Sequence, residues 1–387
     1  MVAIVCCAYL VAAAVCAWFL VSDVREVIGP RAFAYGFAFA LAPAPFLVAL
    51  FVLLDRLRPE PAWLMAAALV WGTCIATFIA LRANGWLTGL LGPVDASPVR
   101  SAVFIAPWVE ELAKGAVIFI IVWWQRDRLM SSIGGIVYAG LIGVGFAFTE
   151  NVVYYGQVFQ HALDASNDRG LALDAVRELF WWRGVAAPFV HPMFTLMTGI
   201  GIGVAVRQRN TGVRVLAPFA GFLGAVLLHM GYNTLASYSG QHGLTASYIG
   251  VLLPLLLAVT LAVVLLRRHE RRVLAARLHD YVVLGLLDHP TVDSVATAAA
   301  RRRTVADAGA HGRQAARDAR RRQRDLLDLG ALRDRFVRGV SGAEALPDHA
   351  ALLARVRADA DRVRPPQAME VPAGSPGGEP GREPSRP

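Results

Sequence analysis

The stretch Ile133–Tyr155, IGGIVYAGLIGVGFAFTENVVYY, is long and apolar enough to cross a lipid bilayer as a helix. Crossing roughly 30 Å of hydrocarbon takes about 20 mostly apolar residues. The same pattern recurs along much of the 387-residue chain, in which 56% of residues are hydrophobic and only 17% are charged. Soluble domains carry about 25% charged residues. The composition therefore predicts an all-α polytopic membrane protein.

Apolar stretches of this kind predict eight transmembrane helices. They cover residues 3–21, 34–54, 62–81, 102–124, 133–155, 185–206, 215–237 and 246–266. Together they define a predicted membrane domain over residues 1–266. Residues 267–364 are predicted to form a charged, helical cytoplasmic tail. Residues 365–387 are rich in Pro, Gly, Glu and Ser and are predicted to be disordered.

The distribution of arginine predicts the orientation of the spans, because loops rich in Lys and Arg stay in the cytoplasm. Basic residues follow the second, fourth, sixth and eighth spans, namely Arg56, Arg58, Arg126, Arg128, Arg207, Arg209, Arg214, Arg267, Arg268, Arg271 and Arg272. Both termini are therefore predicted to be cytoplasmic, in a multi-pass protein of the cell membrane. The segment Gly156–Gly184 is predicted to be the longest outer loop. The net charge of +9 follows from this topology, so no nucleic-acid partner is predicted.

Four of the predicted spans carry polar side chains that are rare inside a bilayer. They are Glu110, Glu111 and Lys114 in the fourth span, Glu150 and Asn151 in the fifth, His191 in the sixth, and His229 and Asn233 in the seventh. A charged group at the bilayer centre costs about 2.5–3.5 kcal/mol and marks a functional candidate. With the orientation above, all of these groups lie in the outer half of the membrane. One polar layer shared by four helices predicts a single buried site.

The spacing of these residues suggests how they interact. Glu110 and Glu111 lie four and three residues before Lys114, so either carboxylate can pair with its ammonium group. Neighbouring residues on a helix point about 100° apart, so one glutamate is predicted to face a cavity while the other is held by Lys114. His229 and Asn233 share one helix face. A buried ion pair that serves only helix packing is the alternative interpretation of the Glu–Lys motif.

The motifs resemble those of a known family of membrane proteases. Four motifs on four helices are similar in type and order to those of PrsW-type intramembrane proteases: Glu110-Glu111-x-x-Lys114, Phe146-Ala147-x-x-Glu150-Asn151, His191, and His229-x-x-x-Asn233. That family belongs to a wider superfamily with the CAAX prenyl endopeptidases and Abi-type membrane proteins. The resemblance covers about residues 100–240. The CAAX endopeptidases place a histidine on the second motif helix where this chain has Glu150-Asn151, which disfavours prenylated substrates.

The resemblance implies hydrolysis of a peptide bond in a membrane-anchored protein, near the extracytoplasmic side of the bilayer. PrsW-type proteases make the first such cut in a membrane-anchored anti-sigma factor. The family is usually described as metal-dependent, which implies Zn2+ as a cofactor. For the CAAX relatives, the same residue types have also been interpreted as a metal-free set that activates water, so both possibilities stay open here.

The residue types suggest a role for each group. Glu110 is predicted to act as general base on the attacking water, with Glu111 held by Lys114, although the two glutamates can exchange these roles. Asn233 is predicted to donate a hydrogen bond to the developing oxyanion. Catalytic zinc takes three protein ligands and a water molecule. His191 and His229 are predicted to bind a metal or, without one, to orient the water and the oxyanion, and Glu150 is the candidate for the third ligand if zinc is present.

Two other functions also place ionisable groups in a membrane. An ion- or proton-coupled transporter uses them as a relay, but it is expected to spread them across the bilayer or to show inverted repeats with broken helices. The sequence shows neither feature. A non-catalytic membrane scaffold does not need two glutamates, two histidines and an asparagine at one depth. The pattern favours a protease, with a membrane-anchored protein substrate and the lipid bilayer as its partners.

Overall fold

The computed structural model describes residues 2–95, 98–125, 132–238, 245 and 248–363, and over these ranges the chain is helical with no strand. The α-helices are α1 (Val2–Leu41), α2 (Ala44–Leu54), α3 (Ala62–Val70), α4 (Thr77–Asp95), α5 (Pro98–Arg100), α6 (Ala106–Gln125), α7 (Ser132–Ser166), α8 (Arg169–Phe180), α9 (Val190–Ala205), α10 (Thr211–Tyr238), α11 (Leu253–Val283), α12 (His289–Ala296), α13 (Ala298–Ala310), α14 (Arg313–Arg338) and α15 (Leu346–Val363). Short π-helical turns cover Trp71–Ala76, Ser101–Ile105, Trp181–Ala186 and Tyr248–Leu252. The predicted loop residues Arg126 and Arg128 and the predicted disordered segment 365–387 lie outside the described residues.

Six helical stretches of the described chain are long and apolar enough to cross a membrane. They are Ile4–Leu57, Ala62–Leu90, Ile133–Ser166, Arg169–Ala205, Thr211–Tyr238 and Tyr248–Val283. The chain is therefore a multi-pass helical membrane protein. α6 is not among the six, because it carries Glu110, Glu111 and Lys114 within its 20 residues. The predicted count of eight spans stays a prediction.

The longest of these stretches folds back on itself at Gly29. Before Gly29, α1 runs alongside α3 and α4 in the same direction: the Tyr9 hydroxyl donates to the Ala67 carbonyl at 2.5 Å, and the rings of Phe19 and Phe78 lie 6.0 Å apart. Gly29 has a φ of +80°, a conformation that favours glycine, and Pro30 follows it. The backbone can therefore reverse within what is otherwise a continuous helical segment.

Beyond Gly29 the chain runs along α7 in the opposite direction. Gly36 packs on the backbone of Val152, and further along the chain Phe51 packs on Gly140. α3 and α7 run in the same direction, as their paired contacts show. The two halves of Ile4–Leu57 are therefore antiparallel, and they cover the same two stretches that the sequence separates into residues 3–21 and 34–54.

The predicted outer loop Gly156–Gly184 is helical over most of its length. α7 continues to Ser166, because its extension buries Phe159 against α1. Asp168 then begins α8 by accepting hydrogen bonds from the backbone N–H groups of Gly170 and Leu171, at 2.6 and 3.3 Å. Mixed charge along this segment made it resemble a loop, whereas its buried apolar residues stabilise two helices.

The C-terminal helices pack against one end of the bundle, which we call the arginine end because Arg56, Arg58, Arg207 and Arg267 lie there. α11 passes from apolar sequence into charged sequence without a break. α11, α12, α14 and α15 share a small apolar core that includes Leu57 from the membrane part. Arg58 Nε donates to Asp328 Oδ1 at 2.7 Å across this contact. The domain boundary near residue 266 stays a prediction, since no helix ends there.

Glycines let α7 and α9 approach each other closely at the polar layer. A Cβ atom on Gly143 would lie 2.5 Å from Pro192 Cα and 3.0 Å from the His191 carbonyl carbon. Small residues at such crossings let helix backbones come into contact in membranes. Gly143 therefore sets the position of His191 relative to α7.

We expect Gly143→Ala to destabilise the protein by about 1–3 kcal/mol, the usual cost of overpacking a tight contact, and to displace His191. The midpoint of thermal unfolding in detergent measures this effect. The matched control is Gly231→Ala on α10, because no atom lies within 4 Å of a Cβ at that position. Equal unfolding midpoints for the two variants would contradict the close packing inferred at Gly143.

Candidate functional site

Side chains from α6, α7, α9 and α10 meet inside the bundle, and Lys114 lies at the centre of the cluster with no exposed surface. Its Nζ donates to Glu111 Oε1 at 2.8 Å and to Glu110 Oε2 at 3.5 Å. It also lies 3.2 Å from His191 Nδ1 and 3.8 Å from the centre of the Phe146 ring. One ammonium group therefore joins α6, α7 and α9.

Glu111 is fully enclosed, and both of its oxygens accept hydrogen bonds. Oε1 accepts from Lys114 and from His229 Nδ1, the latter at 3.0 Å. Oε2 accepts from the Thr195 hydroxyl at 3.2 Å. Because an ionised carboxylate only accepts hydrogen bonds, Nδ1 of His229 carries the proton. Nε2 therefore has a free lone pair, with which it can accept a hydrogen bond or bind a metal. Glu111 therefore orients His229.

His191 connects the cluster to a second ion pair. A lysine ammonium only donates, so His191 Nδ1 accepts from Lys114 and the ring proton lies on Nε2. Nε2 donates to Glu150 Oε2 at 2.5 Å. Arg183 Nη2 donates to the same oxygen at 2.7 Å, while Arg183 Nε donates to Asn151 Oδ1 at 2.7 Å. Glu150 is therefore held between a histidine and an arginine.

The formal charges of this network do not cancel. Glu110, Glu111 and Glu150 contribute three negative charges, and Lys114 and Arg183 contribute two positive charges when both histidines are neutral. Uncompensated charge is costly away from water. The arrangement therefore favours one further positive charge, either a proton on a histidine or a bound metal cation.

Glu110, His191 and His229 form a candidate metal-binding group among the described residues. One donor atom from each lies within 4.8 Å of the others, and Glu110 Oε2 lies 3.8 Å from His229 Nε2. Two histidines and a carboxylate are a common ligand set for catalytic zinc. Metal-bound histidines usually donate their other N–H to a carboxylate, which is the contact that Glu111 makes with His229. The residue types therefore fit a divalent cation, and binding through His191 would require one of its ring nitrogens to release Lys114 or Glu150.

This group differs from the ligand set predicted from the sequence by one carboxylate. The sequence predicts Glu150, His191 and His229 as ligands, with Glu110 as base. In the structure Glu150 contacts His191, whereas Glu110 is the carboxylate that lies near both histidines.

Asn233 lies on the same helix as His229, one turn away, at the wall of a cavity. Its Nδ2 donates to the Ala102 carbonyl at 2.8 Å. The cavity has a volume of about 330 Å3, and its lining includes Tyr154, Leu179, Trp182, Arg183, Tyr232 and Tyr248. Asn233 thus faces a space of peptide-fragment size, and the structure gives it no hydrogen bond to the Glu–Lys–His cluster.

A smaller void lies between this cavity and His191. Its volume of about 10 Å3 is close to the minimum that holds one water molecule. Arg183, Ala187 and Tyr232 line both spaces. The wall between the cavity and His191 therefore contains a charged side chain already bound to Glu150.

Two residues of the network, Arg183 and Thr195, were not among the site residues predicted from the sequence. Arg183 was assigned to the outer loop. It directly follows two tryptophans and precedes an apolar stretch, and its sequence context gives no other indication of a role. Thr195 lies four residues after His191, so helical spacing places it on the same face. That spacing could have predicted Thr195, whereas the contacts of Arg183 depend on how the chain enters α9.

The fold and the site together define a multi-pass helical membrane protein with a candidate metal centre buried in its bundle. A sequence model of the PrsW family intramembrane metalloproteases matches residues 60–265. This range is more than half of the chain and contains every residue of the cluster. The chain belongs to the PrsW family.

Protease PrsW of Geobacillus kaustophilus is similar to this chain, with 29% identity over 119 residues. The aligned part is 30% of this chain and 49% of that protein, so the match spans about half the length of the relative. No solved structure matches the chain. The wider relation to CAAX and Abi-type proteins stays a prediction.

Proposed function

We propose that the protein is an intramembrane endopeptidase that cleaves a membrane-anchored protein near the extracytoplasmic side of the bilayer. The observation that supports this function is the buried Glu–Lys–His cluster beside a cavity at the end of the bundle opposite the arginine end. The positive-inside rule favours a cytoplasmic arginine end, so the cavity opens toward the other side. The resemblance to PrsW proteases favours an anti-sigma factor as substrate.

Glu110 is proposed to take the proton from the attacking water. Glu111 already accepts hydrogen bonds from Lys114, His229 and Thr195, which occupy most of its acceptor sites. The nearest charged donor to Glu110 is Lys114 at 3.5 Å, and the residue keeps 7% of its surface exposed. Of the two adjacent glutamates, Glu110 is therefore the better general base.

Zn2+ or another divalent cation would be held by Glu110, His191 and His229, with Glu150 as the alternative carboxylate ligand. When bound, such a cation polarises a carbonyl and lowers the pKa of a water molecule. A carboxylate has two oxygens, so Glu110 can bind a cation through one and accept a proton through the other. Glu111 and Lys114 keep His229 and Glu110 in place in either case.

The peptide is proposed to enter through the 330 Å3 cavity. Its aromatic lining suits an unwound, mostly apolar segment, since tyrosine and tryptophan offer both apolar surface and a polar tip. An asparagine amide has two N–H groups, and Asn233 uses one on the Ala102 carbonyl. The other is proposed to donate to the oxyanion as the peptide bond is attacked.

Cleavage of a co-reconstituted, single-span anti-sigma-type protein tests this function. We expect the wild type to cut it and Glu110→Gln to lower kcat by about 10²–10⁴, the usual contribution of a general base. Asp174→Asn is the matched control, because it makes the same chemical change at an exposed carboxylate of α8. Metal content, measured on the same proteins, identifies the ligand set. Loss of bound metal in Glu110→Gln supports the group of Glu110, His191 and His229 that the structure brings together. Loss of bound metal in Glu150→Gln alone supports the ligand set predicted from the sequence.

The competing functions give different results in the same proteoliposomes. A transporter would cut nothing across a panel of single-span proteins, and its ion or proton flux would change in Glu110→Gln. A scaffold would neither cut nor transport. Either result, obtained with variants that stay folded and inserted, would overturn the proposed protease.

A further inference from the structure

Arginines from two helices meet at the arginine end, where α11 leaves its apolar segment. α11 carries Arg267 and Arg271 just after Leu266, and α13 brings Arg301 and Arg302 to the same place. The charges of Arg267, Arg271 and Arg302 all act on Arg301. This group, which we call the basic site, lies far from the catalytic cluster.

Arg301 carries a buried donor atom that has no hydrogen-bond partner among the described residues. Within the described part of the chain its Nη1 is buried and makes no hydrogen bond. Partial burial and the three neighbouring arginines lower the pKa of its guanidinium. Buried polar groups almost always have hydrogen-bond partners, so this atom points to a ligand that supplies acceptor oxygens.

The position of Arg301 is fixed by its own helix. Thr297 caps α13 by accepting from the Ala300 N–H at 3.0 Å. Gln323 of α14 donates from Nε2 to the Arg301 carbonyl, also at 3.0 Å. The backbone that carries Arg301 is therefore held against α14, and the guanidinium is presented to α11 before any ligand binds.

Two acidic residues lie near the basic site. Glu270 and Asp55 both act electrostatically on Arg267, as does the positive charge of Arg56. Asp55 is already engaged, because it accepts the Glu60 N–H at 2.7 Å. Neither acid is among the groups that act on Arg301. The two carboxylates therefore offset part of the charge of Arg267, whereas the charged groups that act on Arg301 are all arginines.

We propose that Arg301, with Arg267 and Arg271, binds the phosphate of an anionic phospholipid headgroup. Guanidinium groups bind phosphate through paired N–H donors, and each arginine near a membrane surface contributes about 1 kcal/mol to such binding. Leu261 and Val264 of α11, 58% and 37% exposed, lie in one i,i+3 row with Arg267 on its membrane side. An acyl chain can cover these two side chains while its phosphate reaches the arginines, which favours a lipid over free phosphate.

The test uses the full chain, purified in an uncharged detergent and titrated with short-chain phosphatidylglycerol. Apparent Kd values come from the rise in unfolding midpoint as lipid is added. We expect Arg301→Gln to weaken binding at least about fivefold, the equivalent of roughly 1 kcal/mol per arginine. Arg303→Gln is the matched control, since this exposed arginine is not among the groups that act on Arg301. It should bind like the wild type.

One further variant and two other ligands test whether Arg301 binds an anionic lipid specifically. Arg301→Lys keeps the charge but loses the paired donors, so binding intermediate between wild type and Arg301→Gln is expected. Equal weakening in Arg303→Gln would show attraction to a basic surface rather than a site. Equal protection by inorganic phosphate or by phosphatidylcholine would show that an anionic lipid is not required.

Discussion

Replacing Lys114 with methionine is expected to destabilise the protein by about 3–5 kcal/mol, the cost of leaving a buried charge without its partner. Lys114 has no exposed surface, and it is the cation closest to Glu111, at 2.8 Å. Without it, Glu111 keeps only His229 and Thr195 as donors. The free energy of unfolding, measured in mixed detergent micelles, checks this expectation.

Two variants make the result specific to the buried pair. Arg321→Met removes the cation of an exposed i,i+3 pair with Asp318, and such pairs contribute about 0–1 kcal/mol. The double variant Lys114→Met with Glu111→Gln removes both charges and should be more stable than Lys114→Met alone. If Lys114→Met were as stable as Arg321→Met, water would have to screen the cluster, and the buried ion pair would not contribute measurably to the free energy of unfolding.

Replacing Arg183 with alanine is expected to lower kcat by about 10–100-fold, the usual effect of removing a group that orients a catalytic residue. Arg183 binds Glu150 and Asn151 at 2.7 Å each, and Glu150 in turn binds His191. Without the guanidinium, Glu150 can rotate away from His191. We expect KM to change less than kcat, because Arg183 is proposed to act through Glu150.

Arg183→Lys and Arg177→Ala complete this experiment. Lysine supplies the charge but cannot bond Glu150 and Asn151 at once, so activity between that of wild type and Arg183→Ala is expected. Arg177 makes an exposed ion pair with Asp174 on α8, and its loss should leave kcat unchanged. A large rise in KM with constant kcat would instead show that Arg183 contacts the substrate directly in the cavity.

Hydropathy predicted a multi-pass helical protein, and the structure confirms this class, because lipid imposes a local rule on the backbone. Every buried N–H and C=O must find a partner within the bilayer, so an apolar stretch of sufficient length has to be helical. That rule does not apply outside the hydrocarbon. The extent of helix over Gly156–Gly184 was therefore not predicted by hydropathy, because these helices are stabilised by contacts with α1 and α7.

The polar groups of the site could be identified in the sequence because ionisable side chains are rare within apolar stretches. Glu110, Glu111, Lys114, His191 and His229 lie in apolar surroundings, where an unpaired charge is costly. Their cost alone predicts that they pair with one another. Arg183 gives no such signal, since an arginine near tryptophans at a membrane surface is common.

The sequence by itself determined that this chain is a helical membrane protein and that the charged residues inside its apolar helices belong to one polar layer. Hydropathy and helical spacing act over a few neighbouring residues, so both can be read from the sequence. Only the tertiary structure decided which donor atoms meet. Glu110 rather than Glu150 lies near both histidines, and Arg183 reaches Glu150. These contacts depend on how α6, α7, α9 and α10 cross, and crossings are set by glycine contacts and side-chain packing between helices that are distant in the chain.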